Sequence, residues 1–177
     1  MACIKALDKA IQYNCELGAV GLGELYLINF ADITTMTVSA ANVIEDITLK
    51  TGAKTVPVDM VKNGVKVVEA MKATDVSNGI DQTLTITLYD KASNGTIIID
   101  ALMNGRFMAA VSYKDLKASR NMLGTVCGLE ISDIQTDSSA NGGFTTITLK
   151  TPDDAKGEKR MIIDTAPWTT IVNAKLT

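Results

Sequence analysis

Residues 82–89, QTLTITLY, alternate without a break, with Leu84, Ile86 and Leu88 on one side and Thr83, Thr85 and Thr87 on the other. Side chains of a strand point to opposite faces with a period of two. This stretch therefore lays an apolar row on a core and a threonine row on the far side. Its neighbours along the chain share that texture. ELYLINF (24–30), ITTMTVSA (33–40) and VIEDITLK (43–50) lie upstream, with VKVVEAMKA (65–73) between. RFMAAVSY (106–113), RNMLG (120–124), CGLEISDI (127–134) and FTTITLK (144–150) lie downstream. Thr, Val and Ile fill them, and β-branched side chains suit a pleated, half-buried surface. In ELYLINF, Leu25 and Leu27 fall on one face and Tyr26, Ile28 and Phe30 on the other, which predicts a strand covered on both sides. Gly52 and Pro57 interrupt the pattern and predict a loop or irregular hairpin tip over 51–64. Asn-Gly pairs at 63, 78, 94, 104 and 141 are candidate tight turns or caps.

One segment departs from the strand rhythm. In DKASNGTIIIDALMNG (90–105), Ile98 precedes Leu102 by four residues and Ile99 precedes Met103 by four. Three consecutive isoleucines are poor helix formers, so a continuous strand is the alternative. Asp100 and the Asn104-Gly105 ending favour a capped amphipathic helix near 92–104, with Ser93 or Asn94 as its N-cap. Burial of Ile98 and Leu102 would contribute about 1.5–3 kcal/mol each. Strands, one helix, then more strands give no alternating βαβ order. The expected fold is mainly β: an antiparallel β-sandwich or barrel with one flanking α-helix. Residues 1–20 read as an N-terminal arm, with Ile4, Leu7 and Ile11 at helical spacing, and 21–177 as a single domain.

Composition narrows the function. A chain of 177 residues builds a core without metal or disulfide. Hydrophobic residues at 46% and charged residues at 21% argue against disorder. Lys+Arg 17 against Asp+Glu 20 leaves a net charge of −3, which argues against an electrostatic footprint on nucleic acid or an anionic membrane. There is no histidine, which removes Ser-His-Asp and Cys-His catalysis and any histidine-containing zinc site. Cys3, Cys15 and Cys127 show no C-x-x-C spacing and read as small buried hydrophobes. Lys5, Asp8 and Lys9 break any signal-peptide core, and the apolar run from Leu17 to Phe30 is too short to span a bilayer. The expectation is a soluble product made in the cytoplasm, with no membrane partner, cofactor, metal or enzymatic activity.

Several patterns invite a chemical reading and resist it. Gly18, Gly21 and Gly23 precede a strand, whereas a dinucleotide loop follows one and opens a helix, so they read as a hinge. Asp153, Asp154 and Glu158 around Gly157 lack the alternating oxygens of a calcium loop and read as a solvated hairpin tip. Glu45–Asp46 and Asp133–Asp137 have no aromatic or cationic cluster beside them for acid–base work. Asn94-Gly95-Thr96 fits the glycosylation pattern without a secretory signal. Trp168, behind Pro167, is either a core anchor or a large contact for a neighbouring subunit.

Three blocks of the chain together resemble the tail tube proteins of tailed bacteriophages, of the type found in phages infecting Bacteroidetes. The first is LGAVGLGELYLINFADIT (17–34), preceded by an arm that contains Cys15 and leading through Gly21 and Gly23 into a strand and then Asp32 to Thr34. The second is QTLTITLYDKASNGTIIIDALMNGRFMAAVSYKD (82–115), followed by Met122-Leu123-Gly124 and Gly128-Leu129. The third is Gly143-Phe144 through Leu149. GEKRMIIDTAPWTTIVNAKLT (157–177) forms a longer C-terminal extension than the family pattern.

The resemblance implies a virion structural protein of the phage tail that self-assembles into stacked, hexameric rings. Its partners would be further copies of itself and other tail or head–tail connector proteins, with DNA passing transiently through the lumen. It implies that hairpins pair edge to edge into an inner barrel, which removes exposed edges. The 35–75 region would supply lumen strands, the 51–64 loop would reach an adjacent ring, residues 1–20 would dock on a neighbour, and an acidic lumen would repel phosphate. The candidate inter-subunit contacts are Ile4, Leu7, Ile11, Pro57, Val58, Met60 and Trp168. Competing expectations are another ring-forming head–tail or tail-completion protein and a monomeric β-sandwich binding module.

Overall fold

The structure is a computed structural model and describes residues 21–59, 64–73, 78–89, 93–114, 119–139, 143–155 and 157–176. At its centre β1 (Leu22–Asn29) and β7 (Phe107–Tyr113) pair antiparallel, Leu25 opposite Val111 and Leu27 opposite Ala109. Both strands are apolar on both faces, and both faces are covered. Leu25 to Ile28 and Phe107 to Ser112 are buried throughout. The two-sided reading of ELYLINF is correct.

These strands belong to a seven-stranded sheet. It includes β2 (Ile33–Val38), β3 (Val43–Leu49), β4 (Val56–Val58), β8 (Arg120–Leu123) and β11 (Met161–Ile163), in the order β2-β3-β11-β8-β7-β1-β4. All its pairs are antiparallel except β11 with β3. A second sheet, fully antiparallel, runs β5-β6-β10-β9 from β5 (Val65–Ala73), β6 (Asn78–Leu88), β10 (Thr145–Lys150) and β9 (Glu130–Thr136). Leu84 and Ile86 of β6 and Ile147 and Leu149 of β10 pack against Leu25, Leu27, Ala109 and Val111 to form the core between the sheets. The threonine row points away from it. The architecture is a β-sandwich, not a closed barrel.

The opposite face of the large sheet carries a second core. Tyr26, Ile28, Met108, Ala110 and Met122 meet Trp168 and Ile171 of a helix absent from the sequence expectation, α2 (Thr165–Asn173). Threonines and Pro167 obscured its period. Its start is set by the Asp164 carboxylate, which accepts from the Thr165 N–H at 2.7 Å. The expected helix is present as α1 (Ser93–Met103), closed by Asn104, whose amide donates to the Asp100 carbonyl at 3.0 Å. Ser93 and Asn94 both lie within the helix, so neither is the capping residue before it that the sequence suggests.

Several local expectations are corrected. Ile98 is exposed, and Leu102, with half-buried Ile99, makes the helix's contact with the core. Residues 51–64 include strand β4, because Val56 to Val58 find a free side of β1 to pair with. Of the strands in the 35–75 region, β2, β3 and β4 join the large sheet and β5 the small one. Asn78-Gly79 opens β6 and Asn94-Gly95 lies inside α1, so neither is a turn.

Candidate assembly surfaces

The four-stranded sheet ends in two strands of opposite character. Its outward face runs in rows that the register fixes. Lys66, Thr85, Thr148 and Asp133 form one row, and Val68, Thr83, Lys150 and Glu130 form the next. The β5 edge thus presents Lys66 and Lys72, and the β9 edge presents Glu130 and Asp133. Between the edges lie hydroxyls. Lys150 is held by Asp81 at 3.4 Å and Asp153 at 2.7 Å, Lys72 donates to the Pro152 carbonyl at 2.6 Å, and Glu130 pairs with Arg106. Lys66 and Asp133 are exposed. The edge strand β5 is nine residues long and holds no proline. At the other end of the large sheet, β4 is only three residues long and carries Pro57, a residue confined within sheets to edges and bulges. Long, regular edges are templates for another chain, whereas short, proline-bearing ones are not.

The second surface is a groove of about 620 Å³ between β4, the end of β6 and α1. Leu27, Val56, Pro57, Val58, Leu102 and Phe107 line it, and Asp59 sits at its rim. Ile98 and Ala101 form its helical wall. Helix α1 carries Thr96 and Asp100, four residues apart, on one face and mainly apolar residues on the rest. Leu102 faces the core, while Ile97 at 66% and Met103 at 56% exposure face away from it.

The buried polar groups have structural work. The Glu158 carboxylate, 1% exposed, accepts from the Val126 and Cys127 backbone N–H groups at 2.8 and 2.7 Å and from the Thr125 hydroxyl at 3.3 Å. Gln82 accepts from the Gly124 N–H at 2.9 Å and donates to Glu69, which also takes Arg160. Together they fasten the loop 124–128. Burial, and then the nearby Glu158 carboxylate, push the Cys127 thiol up. Burial and the Glu69 charge raise Tyr113, and the Glu69 hydrogen bond raises Arg160. Glu158 therefore does not belong to a solvated tip. Gly157, with φ +90°, lies so close to Gly79 that an added Cβ would approach its Cα to 2.9 Å, and this brings Glu158 onto Ile80 and inward. Among the described residues, no group of three His, Cys, Asp or Glu could hold a metal ion, and no helix is long and apolar enough to cross a membrane.

Of the residues singled out for contacts with a neighbour, Pro57 and Val58 lie on the groove. Trp168 does not face outward. It is 7% exposed, meets Tyr26 edge to face at 5.6 Å and lies under the Arg120 guanidinium at 5.4 Å, so its apolar area is used within the chain. Ile4, Leu7, Ile11 and Met60 lie outside the described residues. The sequence reading passed over the charge difference between β5 and β9, which needs the strand order, and over Glu158 and Gln82, whose burial depends on contacts distant along the chain.

Compared with models of protein families, with curated proteins and with solved structures, the chain matches none.

Proposed function

We propose that this protein is a virion structural subunit that self-assembles into rings and that the rings stack into a tube, the tail tube of a bacteriophage. The observation that carries the proposal is the pair of open edges on the four-stranded sheet, one basic at Lys66 and one acidic at Asp133. The two edge strands run antiparallel to each other. Joining β5 of one copy to β9 of the next therefore continues an all-antiparallel sheet, and rotation closes it into a barrel without edges. The contact is heterologous, as a ring requires.

The outward face then becomes the channel wall. Its rows of threonine, with Lys72 and Lys150 already bound by neighbours, present hydroxyls and paired charges. The described rows contain no aromatic ring on which a base could stack. On this reading DNA slides because the wall offers little to hold it, and overall acidity is not what the wall relies on. Light scattering on the purified chain tests the proposal. Masses at a fixed multiple of 18.8 kDa, and larger stacks, support it; a mass of 18.8 kDa at every concentration refutes it.

A further inference from the structure

Asn104 and Gly105 are each required by the way α1 ends. The Asn104 carboxamide donates to the Asp100 carbonyl at 3.0 Å and so satisfies one of the acceptors that a helix leaves open in its last turn. A Cβ at position 105 would run into the ring of buried Phe107, so no side chain fits there. The fold therefore sets a carboxamide directly before a peptide nitrogen that no side chain shields. We propose that Asn104 is a site of spontaneous covalent modification, in which attack by the Gly105 backbone nitrogen deamidates it and loosens the end of α1. The inference stands apart from the assembly reading.

The reaction needs only water. Solvent base removes the Gly105 amide proton, and the nitrogen attacks Cγ of Asn104. The N–Cγ bond forms, the Cγ–Nδ2 bond breaks, and Nδ2 leaves as ammonia with a proton taken from water. Water then opens the cyclic imide, at Cγ to give aspartate or at the backbone carbonyl to give isoaspartate. Solvent reaches the pair, because Asn104 is exposed and Gly105 half-buried. The Gly105 N–H is weakly held, its nitrogen 3.5 Å from the Leu102 carbonyl, at the outer limit of a hydrogen bond.

The other described Asn-Gly pairs are held harder. The Ile80 N–H donates to the Glu158 carbonyl at 2.9 Å, so the alternation of an antiparallel ladder turns the Gly79 N–H toward Lys72. Gly95 is buried in the first turn of α1. Asn63 and Asn141 lie outside the described residues. At position 104, loss of Nδ2 removes the bond to Asp100, and the new carboxylate meets the negative end of the helix dipole. Arg106, the nearest cation along the chain, is already paired with Glu130.

Peptide mapping of the folded full-length chain, aged at mildly alkaline pH, tests the proposal. Asn104 should convert at least about fivefold faster than Asn78 or Asn94, the factor that breaking one further backbone hydrogen bond imposes. Fragment ions separate Asn94 from Asn104, and enzymatic methylation of isoaspartate reports the imide route. In the urea-unfolded chain the three should convert at similar rates. The melting midpoint of the native chain should fall as conversion proceeds. An Asn104→Asp variant should start at the lower midpoint, and an Asn104→Gln variant should hold its own midpoint through ageing. Conversion of Asn78 or Asn94 ahead of Asn104 would overturn the inference, as would the same order of conversion in urea. An Asn104→Asp variant that melts like the native chain would overturn the loosening of α1.

Discussion

Lys66 and Asp133 stand at opposite ends of one row across the four-stranded sheet, with Thr85 and Thr148 between them. No contact within one chain can bring them together. Contact between copies can, and their opposite charges favour it over the meeting of two like edges. Opposite charges facing across strands contribute about 0.2–1 kcal/mol per pair, and like charges destabilise. Lys66→Asp and Asp133→Lys should each raise the concentration needed for ring formation about tenfold, once attraction becomes repulsion. The double exchange should restore it. Sedimentation velocity across a dilution series measures the three variants, and a double variant no better than the singles would separate these charges from assembly.

Trp168 belongs to the stability of the protomer. Truncating it removes the edge contact with Tyr26 and the surface beneath Arg120. Trp168→Ala should destabilise the chain by about 3–5 kcal/mol in urea unfolding. Arg120→Ala should cost about 0.5–1 kcal/mol.

Glu158 anchors the loop from Gly124 to Gly128 through two backbone N–H groups and one hydroxyl. Glu158→Ala leaves those donors without their acceptor and should cost about 3 kcal/mol. The loop's crest carries exposed Val126, so its loosening should appear as faster amide exchange at residues 125–127.

Cys127 gives a pH test of the same contact. Burial and the Glu158 charge raise its thiol, so at a given pH it holds less thiolate than an ordinary cysteine. In a Cys3→Ser, Cys15→Ser background its alkylation rate should climb at higher pH than that of a free thiol. Glu158→Gln removes the negative charge and should shift the profile back to lower pH. A profile that does not move would mean that Glu158 has no electrostatic hold on the thiol.

Local pattern made the strands legible and left their partners hidden. The alternation at 82–89 and the two-sided apolarity of 24–30 report directly on one core, because period and face are properties of a few neighbouring residues. The three isoleucines of α1 pull toward a strand, yet Asn104 and the i, i+4 pairing of Ile98 with Leu102 were enough to indicate the helix. They did not indicate which of its faces turns inward. Helix α2 was missed because Thr165, Thr169 and Thr170 weaken the signal carried by Trp168 and Ile171. Sheet order has no local signature: the small sheet joins β5 and β6 to strands some sixty residues away, so the opposed edges at Lys66 and Asp133 emerge only from the fold.

Electron cryomicroscopy of the assembled protein tests the central claim most directly, at a resolution that separates strands. The expected map is a ring whose inner wall is one unbroken antiparallel sheet, with β5 of each copy hydrogen-bonded to β9 of the next and the threonine rows facing the channel. Rings joined through any other strands, or a field of single 18.8 kDa particles with both edges open to solvent, would contradict it.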